Sequence, residues 1–357
     1  MRPAIKTVAV NGALILAVVA AAELIFGSWI WGPDYSVLNI PRNTVRHFDV
    51  SRLYPGHGPA VYTRDKHGLR GAYPDPGKID ILVMGGSTAD EIYVSDGLTW
   101  VDQLRQAFAA AGRPLVVVNA AIDGQSSVGH IRAIDLWFPN IPGLKARYVM
   151  FYIGINDVAV SPKSISQYDA MKSPEPLRRF RSYLMNNSIF YNKFRQVRGM
   201  FTAWRMSLLH GALQPARTEW RPATAGPGEA ESAKKLEPRL KAYAERLRTL
   251  VRKVRTDMKA EPIFVTQKRG DYKIADGRLL ARVDRGAPPA ADEAYRTLRA
   301  FNRETLDVGA ELKVFTIDLA TGLDFQEGDF YDHIHTTPSG SRRIGRFIFE
   351  GLKERVR

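Results

Sequence analysis

The chain of 357 residues is 45% apolar and 25% charged, the proportions of an ordinary globular protein and not of a disordered one, and it is long enough to bury a sizeable core. It contains no cysteine, which excludes disulfides, thiolate metal sites and a cysteine nucleophile. A formal charge of +14, from 51 Lys and Arg against 37 Asp and Glu, points to an anionic neighbour, with nucleic acid, anionic lipid and an anionic polymer all compatible.

From Thr7 to Trp31 the sequence is almost wholly apolar, interrupted by small residues, Asn11 and Glu23. A run of about 20 apolar residues spans a bilayer as a helix, so residues 1–32 are expected to form a membrane anchor. Trp29 and Trp31 are residue types that favour the membrane interface, and the basic start at Arg2 and Lys6 predicts a single-pass chain with its main domain outside the cytoplasm. Ala20-Ala21-Ala22 fits a signal-peptidase pattern, which makes secretion after cleavage the alternative. The apolar run continues past it through Leu24, Ile25 and Phe26, which favours a retained anchor.

Residues 33–78, rich in Pro, Gly and Tyr, read as an approach segment with little regular structure. Within it the stretch from Thr63 to Gly71 combines turn glycines with charges, and reads either as a solvated loop or as a lip packed beside a site. Apolar, β-rich runs then follow at Ile79 to Met84, Leu115 to Asn119, Tyr148 to Ile153, Pro262 to Thr266 and Val314 to Ile317. Helical patterns separate them at Thr99 to Ala111, Ser127 to Phe138, Lys234 to Lys259 and Ala291 to Leu312. Uninterrupted apolar strands alternating with amphipathic helices predict an α/β fold, a parallel sheet covered on both faces, with ligands beyond the carboxyl ends of its strands.

The chemistry-bearing residues stand at those ends. Ser87 follows the first strand through Gly85-Gly86, which permit a tight turn and leave room beside a hydroxyl; a helix N-cap or an anion-binding loop are the other readings. In Asn119 to Ser127, Gly124 can bring its backbone N–H close to an oxyanion. In Gly154-Ile155-Asn156-Asp157, Asn156 can donate its amide to developing negative charge, an Asx turn being the plainer reading. Near the C-terminus, Asp332-His333-Ile334-His335 precedes a helix that opens at Pro338. There Asp332 can fix the tautomer of His335, whose other ring nitrogen can take a serine proton. His333 is the competing histidine, and metal binding by Asp332, His333 and His335 is disfavoured because no second cluster completes a shell.

These pieces resemble, in order, the sequence blocks of the SGNH (GDSL-type) hydrolase superfamily: Ser87 in the first, Gly124 in the second, Asn156 in the third, and Asp332 and His335 in the last. The N-terminal apolar segment and Gly68-Leu69-Arg70-Gly71 are similar to the framing of membrane-linked bacterial members. The resemblance implies a flavodoxin-like three-layer sandwich with a five-stranded parallel sheet of order 2-1-3-4-5 over residues 79–357. It also implies no metal or other cofactor, and an esterase mechanism whose oxyanion hole comprises the Ser87 and Gly124 N–H groups and the Asn156 side chain. Two departures stand out. The first block reads Gly85-Gly86-Ser87-Thr88, and Asp90-Glu91 occupies the place where a glycine often follows the serine, an acidic pair expected to alter the charge of the pocket.

A basic, aromatic insertion is expected at about 161–232. Between Glu175 and Glu219 it has no acidic residue, while Arg178, Arg179, Arg181, Lys193, Arg195 and Arg198 interleave with Phe180, Tyr183, Phe190 and Tyr191. It reads as a solvated helical lid, a surface on anionic lipid or a groove for an acidic polysaccharide, followed by a flexible linker from Gln214 to Ser232. The expected activity is that of an ester hydrolase or O-acyl transferase on acylated carbohydrate or lipid of the cell envelope. Its membrane contacts would be the N-terminal helix and this insertion, with nucleic acid not expected as a partner outside the membrane. A non-catalytic envelope polysaccharide-binding or assembly protein that kept the fold is the alternative.

Overall fold

The computed structural model describes residues 3–27, 29–30, 38, 40–56, 58–160, 176–191, 219–226, 229–283 and 290–356. In chain order its strands are β1 (Thr44–Phe48), β2 (Ala60–Arg64), β3 (Ile79–Gly85), β4 (Val117–Asn119), β5 (Ala146–Tyr152), β6 (Glu219–Pro222), β7 (Glu261–Val265), β8 (Tyr272–Ala275), β9 (Arg278–Val283) and β10 (Phe315–Ile317).

Five of these form the central sheet, all parallel, in the order β10-β7-β5-β3-β4. Numbered among themselves they run 2-1-3-4-5, the doubly wound order expected. Beyond Asp80, Arg147 and Glu261 at their amino ends, β3, β5 and β7 are apolar because both faces are covered, and period-2 alternation sorts their side chains between two cores. Leu82, Met84, Val149, Phe151 and Phe264 pack with Trp137, Leu247 and Phe301 on one side. Ile81, Val83, Met150, Tyr152 and Val265 pack with Trp100, Leu104, Phe108, Ile344 and Ile348 on the other. Helices Ser127–Leu136, Glu229–Thr256 and Glu293–Glu311 cover the first face, and helices Trp100–Ala110 and Pro338–Leu352 the second. Thr99 and Thr337 cap the last two, each with a side chain that accepts from the first turn, and Pro338 follows Thr337 where its missing N–H costs nothing.

Three elements differ from the sequence reading. The approach segment contains an antiparallel hairpin, β1 with β2. The supposed linker contains β6, which pairs with β9 in a three-stranded antiparallel sheet completed by β8, and helix Glu229–Thr256 begins before its expected start. Composition suggested flexibility there because the partner strand is remote in sequence. Trp220 is held by the β9 ladder and by the Lys273 ammonium 4.4 Å from its ring. The β8–β9 turn, Asp276-Gly277, has both residues at positive φ, 48° and 72°; this Asp-Gly hairpin signal was legible and unused.

The N-terminal helix Pro3–Phe26 contains a stretch, Lys6–Phe26, long and apolar enough to cross a membrane, with none of its best window buried against the rest of the protein. Of the expected insertion, residues 176–191, 219–226 and 229–232 are described, the first of these carrying helix Pro176–Asn187; residues 161–175, 192–218 and 227–228 lie outside the described residues.

Candidate active site

The loop carrying His335 is folded by its own aspartate. Asp332 Oδ1 accepts from the backbone N–H of Ile334 at 2.9 Å and of His335 at 2.7 Å, an Asx turn that brings the imidazole back onto the same carboxylate. His335 Nδ1 then lies 2.6 Å from Asp332 Oδ2. An ionised carboxylate can only accept, so Nδ1 carries the proton and Nε2 is left as an acceptor. Nε2 is 2.7 Å from Ser87 Oγ, which donates to it. Tyr331 stacks on the imidazole, ring centres 5.7 Å apart and planes within 11°, and itself packs against Tyr54 and Tyr93. Ser87 opens the short helical turn Ser87–Asp90 directly after β3.

Asn156 and the Gly124 loop meet at Gly86. A β-carbon there would overlap the Asn156 amide, so the absence of a side chain is what lets that amide close onto the serine turn. Asn156 Nδ2 also donates to the Gln125 carbonyl at 2.9 Å, which draws the Gly124 loop to the same point. Gly124 itself has φ +72°, a conformation that favours glycine. The next residue, Asp157, faces the other way. It is buried, accepts from the Ser127 hydroxyl and pairs with Arg246 at 3.1 Å; burial raises its carboxyl above the usual range, against the pull of Arg246 and Ser127. Of the two polar residues in the motif, Asn156 reaches the serine turn and Asp157 holds the loop. Asn156→Ala is expected to lower kcat on an ester by about 100-fold or more with little change in KM; a fall in kcat of under about threefold would remove the amide from transition-state stabilisation.

The Thr63 to Gly71 stretch is the lip and not the solvated loop. Arg64 and Arg70 are both 3% exposed. Arg64 Nη2 pairs with Asp90 Oδ1 at 2.7 Å and donates to the Ala121 carbonyl, while Nη1 reaches the Gly68 carbonyl at 2.5 Å. Asp90 Oδ2 accepts from the Asp123 N–H at 3.2 Å, beside Gly124. Arg70 bonds the Asp90, Glu91 and Val94 carbonyls and pairs with Asp96 at 2.7 Å.

The expectation that Asp90-Glu91 alters the charge of the pocket is therefore corrected: Asp90 is neutralised by Arg64, and Glu91 is turned inward. Glu91 caps the Ser87 turn with φ +50°, and its side chain is buried. Oε1 accepts from Thr336 Oγ1 at 2.8 Å and Ser341 Oγ at 2.5 Å, and Oε2 from the Trp100 N–H at 2.7 Å. It thus straps the serine turn to the residue after His335.

Burial pushes the Glu91 carboxyl up to about 7, against the hydrogen bonds from Ser341, Trp100 and Thr336. A folded value above the unfolded one favours the protonated form. Its contribution to stability is whole below about pH 4.5 and is lost as pH rises to about 7. Glu91→Gln keeps the neutral shape. Relative to the parent it is expected to gain stability on the order of a few kcal/mol between pH 5 and 8, read from urea unfolding at each pH. Parallel stability curves for the two proteins would contradict this.

His333 is half-exposed and points elsewhere, its Nδ1 3.4 Å from Asp271 Oδ2. Sequence reasoning missed Glu91 and Arg64 as site supports, together with Tyr331 and Gln267. Gln267 Nε2 donates to Thr88 Oγ1 at 2.7 Å and its Oε1 accepts from the Ile155 N–H at 2.7 Å, joining the residues beside Ser87 and Asn156. Its place just past the end of β7, at the carboxyl edge of the sheet, was the available signal.

Comparison with known proteins gives a family. The model of the GDSL-like Lipase/Acylhydrolase family matches residues 83–343. Solved structures similar to the chain include that of TesA, at 18% identity and TM-score 0.42 over 77% of this chain and 98% of that one. The psychrotrophic esterase EstA from Pseudoalteromonas sp. aligns at 13% identity and TM-score 0.41 over 77% and 97% of the two chains. Axe2, an acetylxylan esterase from Geobacillus stearothermophilus, crystallised as a catalytic mutant, aligns at 14% identity and TM-score 0.41 over 77% and 94%. Among curated proteins, none matches the chain. The family match spans well over half of the chain, from the strand before Ser87 to the helix after His335, and by it the chain belongs to the GDSL-like lipase/acylhydrolase family and is an ester hydrolase.

Proposed function

We propose that this protein is a membrane-anchored serine ester hydrolase or O-acyl transferase acting on acylated carbohydrate or lipid of the cell envelope. The observation that carries the reading is the unbroken chain from Ser87 Oγ through His335 to Asp332, at 2.7 and 2.6 Å. Ser87 Oγ attacks the ester carbonyl carbon as its proton passes to His335 Nε2, and Asp332 stabilises the imidazolium that forms. The tetrahedral oxyanion is met by the Ser87 and Gly124 N–H groups and the Asn156 amide. His335 then gives the proton to the departing alkoxide, leaving an acyl-serine. Water, or an acceptor hydroxyl in the transferase case, delivers its proton to His335 and its oxygen to the acyl carbon, and Ser87 leaves reprotonated.

The apolar helix with its uncovered surface, the basic residues before it and Trp29 after it support a retained anchor with the catalytic domain outside the cytoplasm. The test is turnover of p-nitrophenyl esters of increasing acyl length and of acetylated glycans, alongside fluorophosphonate labelling. Labelling of the parent but not of Ser87→Ala is expected. A Ser87→Ala variant that labels and turns over like the parent overturns the reading.

A further inference from the structure

Helix Pro176–Asn187 carries an apolar stripe that stays largely exposed, touched among the described residues by Trp29 at one end. Leu177, Phe180 and Tyr183, spaced by three, are 62, 57 and 49% exposed, and Phe190 just beyond is 48% exposed. Residues so spaced share one helix face, and apolar residues exposed together on one face mark a contact.

What the helix is fastened to identifies the occupant. Glu23, in the last turn of the apolar N-terminal helix, accepts from Ser188 Oγ at 2.5 Å, from the Ile189 and Phe190 N–H groups at 3.1 Å each, and from Trp29 Nε1 at 2.7 Å. Trp29 in turn meets the Tyr183 ring edge-on at 5.5 Å. A carboxylate at the end of an apolar span is costly unless its oxygens are satisfied. The turn after helix Pro176–Asn187 supplies three of the four donors, and its detachment would leave Oε1 bare. An exposed aromatic stripe secured at the end of a membrane span sits at headgroup depth, where Phe and Tyr are accommodated and basic residues meet anionic lipid. The sequence of this helix supplies Arg178, Arg179 and Arg181 and no acidic residue.

We propose that helix Pro176–Asn187 lies in the plane of an anionic lipid surface, clasped to the membrane span through Glu23. This rests on the reading of the N-terminal helix as a retained anchor. The chain has no cysteine, so single replacements accept a nitroxide label without background. The full chain carrying Leu177→Cys, Phe180→Cys or, as a control at an exposed position on β7, Glu261→Cys would be reconstituted into vesicles of phosphatidylcholine with or without phosphatidylglycerol. In the anionic vesicles, labels at 177 and 180 should collide several-fold more with oxygen than with a water-soluble nickel chelate, and the label at 261 the reverse. Adding Glu23→Ala should return the first two to water while the chain still resists carbonate extraction.

Labels at 177 and 180 that match 261 in a chain resisting extraction overturn the surface inference and leave the anchor standing. Release by carbonate overturns the anchor and the inference with it. Equal protection in pure phosphatidylcholine overturns the anionic specification, and protection unchanged by Glu23→Ala overturns the clasp.

Discussion

Ser87→Ala is expected to lower single-turnover cleavage of a short acyl ester by about four to six orders of magnitude, or roughly 5–8 kcal/mol of transition-state stabilisation. The serine hydroxyl, 2.7 Å from an imidazole whose other nitrogen is held at 2.6 Å by a carboxylate, is the arrangement in which nucleophile and base act as one unit. His335→Ala should therefore cost nearly as much, and the double variant little more than either alone, because groups acting together do not contribute additively. The residual rate should be that of an oxyanion hole working on water. Double-variant losses equal to the product of the single losses would show that Ser87 and His335 act separately, and an active Ser87→Ala would move the nucleophile elsewhere.

Arg64→Ala is expected to destabilise the folded protein by ~3–5 kcal/mol, because it leaves the Asp90 carboxylate buried without its partner. Arg64 is fully enclosed by acceptors from three segments, at Gly68, Asp90 and Ala121, and the Asp90 field raises its already high basicity against the cost of burial. An intact buried pair contributes little net stability, since desolvation offsets most of the attraction. The pair instead fixes where the Ser87 turn, the Gly124 loop and the lip meet. Arg64→Met with Asp90→Leu should consequently recover most of the stability while losing activity. Urea unfolding of the detergent-solubilised full chain measures the first quantity and ester turnover the second. A midpoint for Arg64→Ala within experimental error of the parent, or a fully active double variant, would contradict this account.

Much of the site was legible because its parts are local. The Asp332 to His335 spacing is an Asx turn closed within four residues, and the serine turn follows from two glycines after an apolar strand. The placement of Glu91 was not legible. Its sequence neighbours suggest an exposed acidic pair, whereas its partners Thr336 and Ser341 lie at the other end of the chain.

Local periodicity and turn chemistry alone determined the parallel α/β architecture, the apolar N-terminal helix and the candidate residues Ser87, Asp332 and His335, since each such signal is written within a few neighbouring positions. Only the tertiary structure decided which charges are neutralised, that β6 joins a second sheet, and that Arg64, Glu91 and Gln267 brace the turns carrying Ser87 and Asn156. Those contacts join segments far apart in the chain. Their energies depend on burial and on partners that no window of sequence contains.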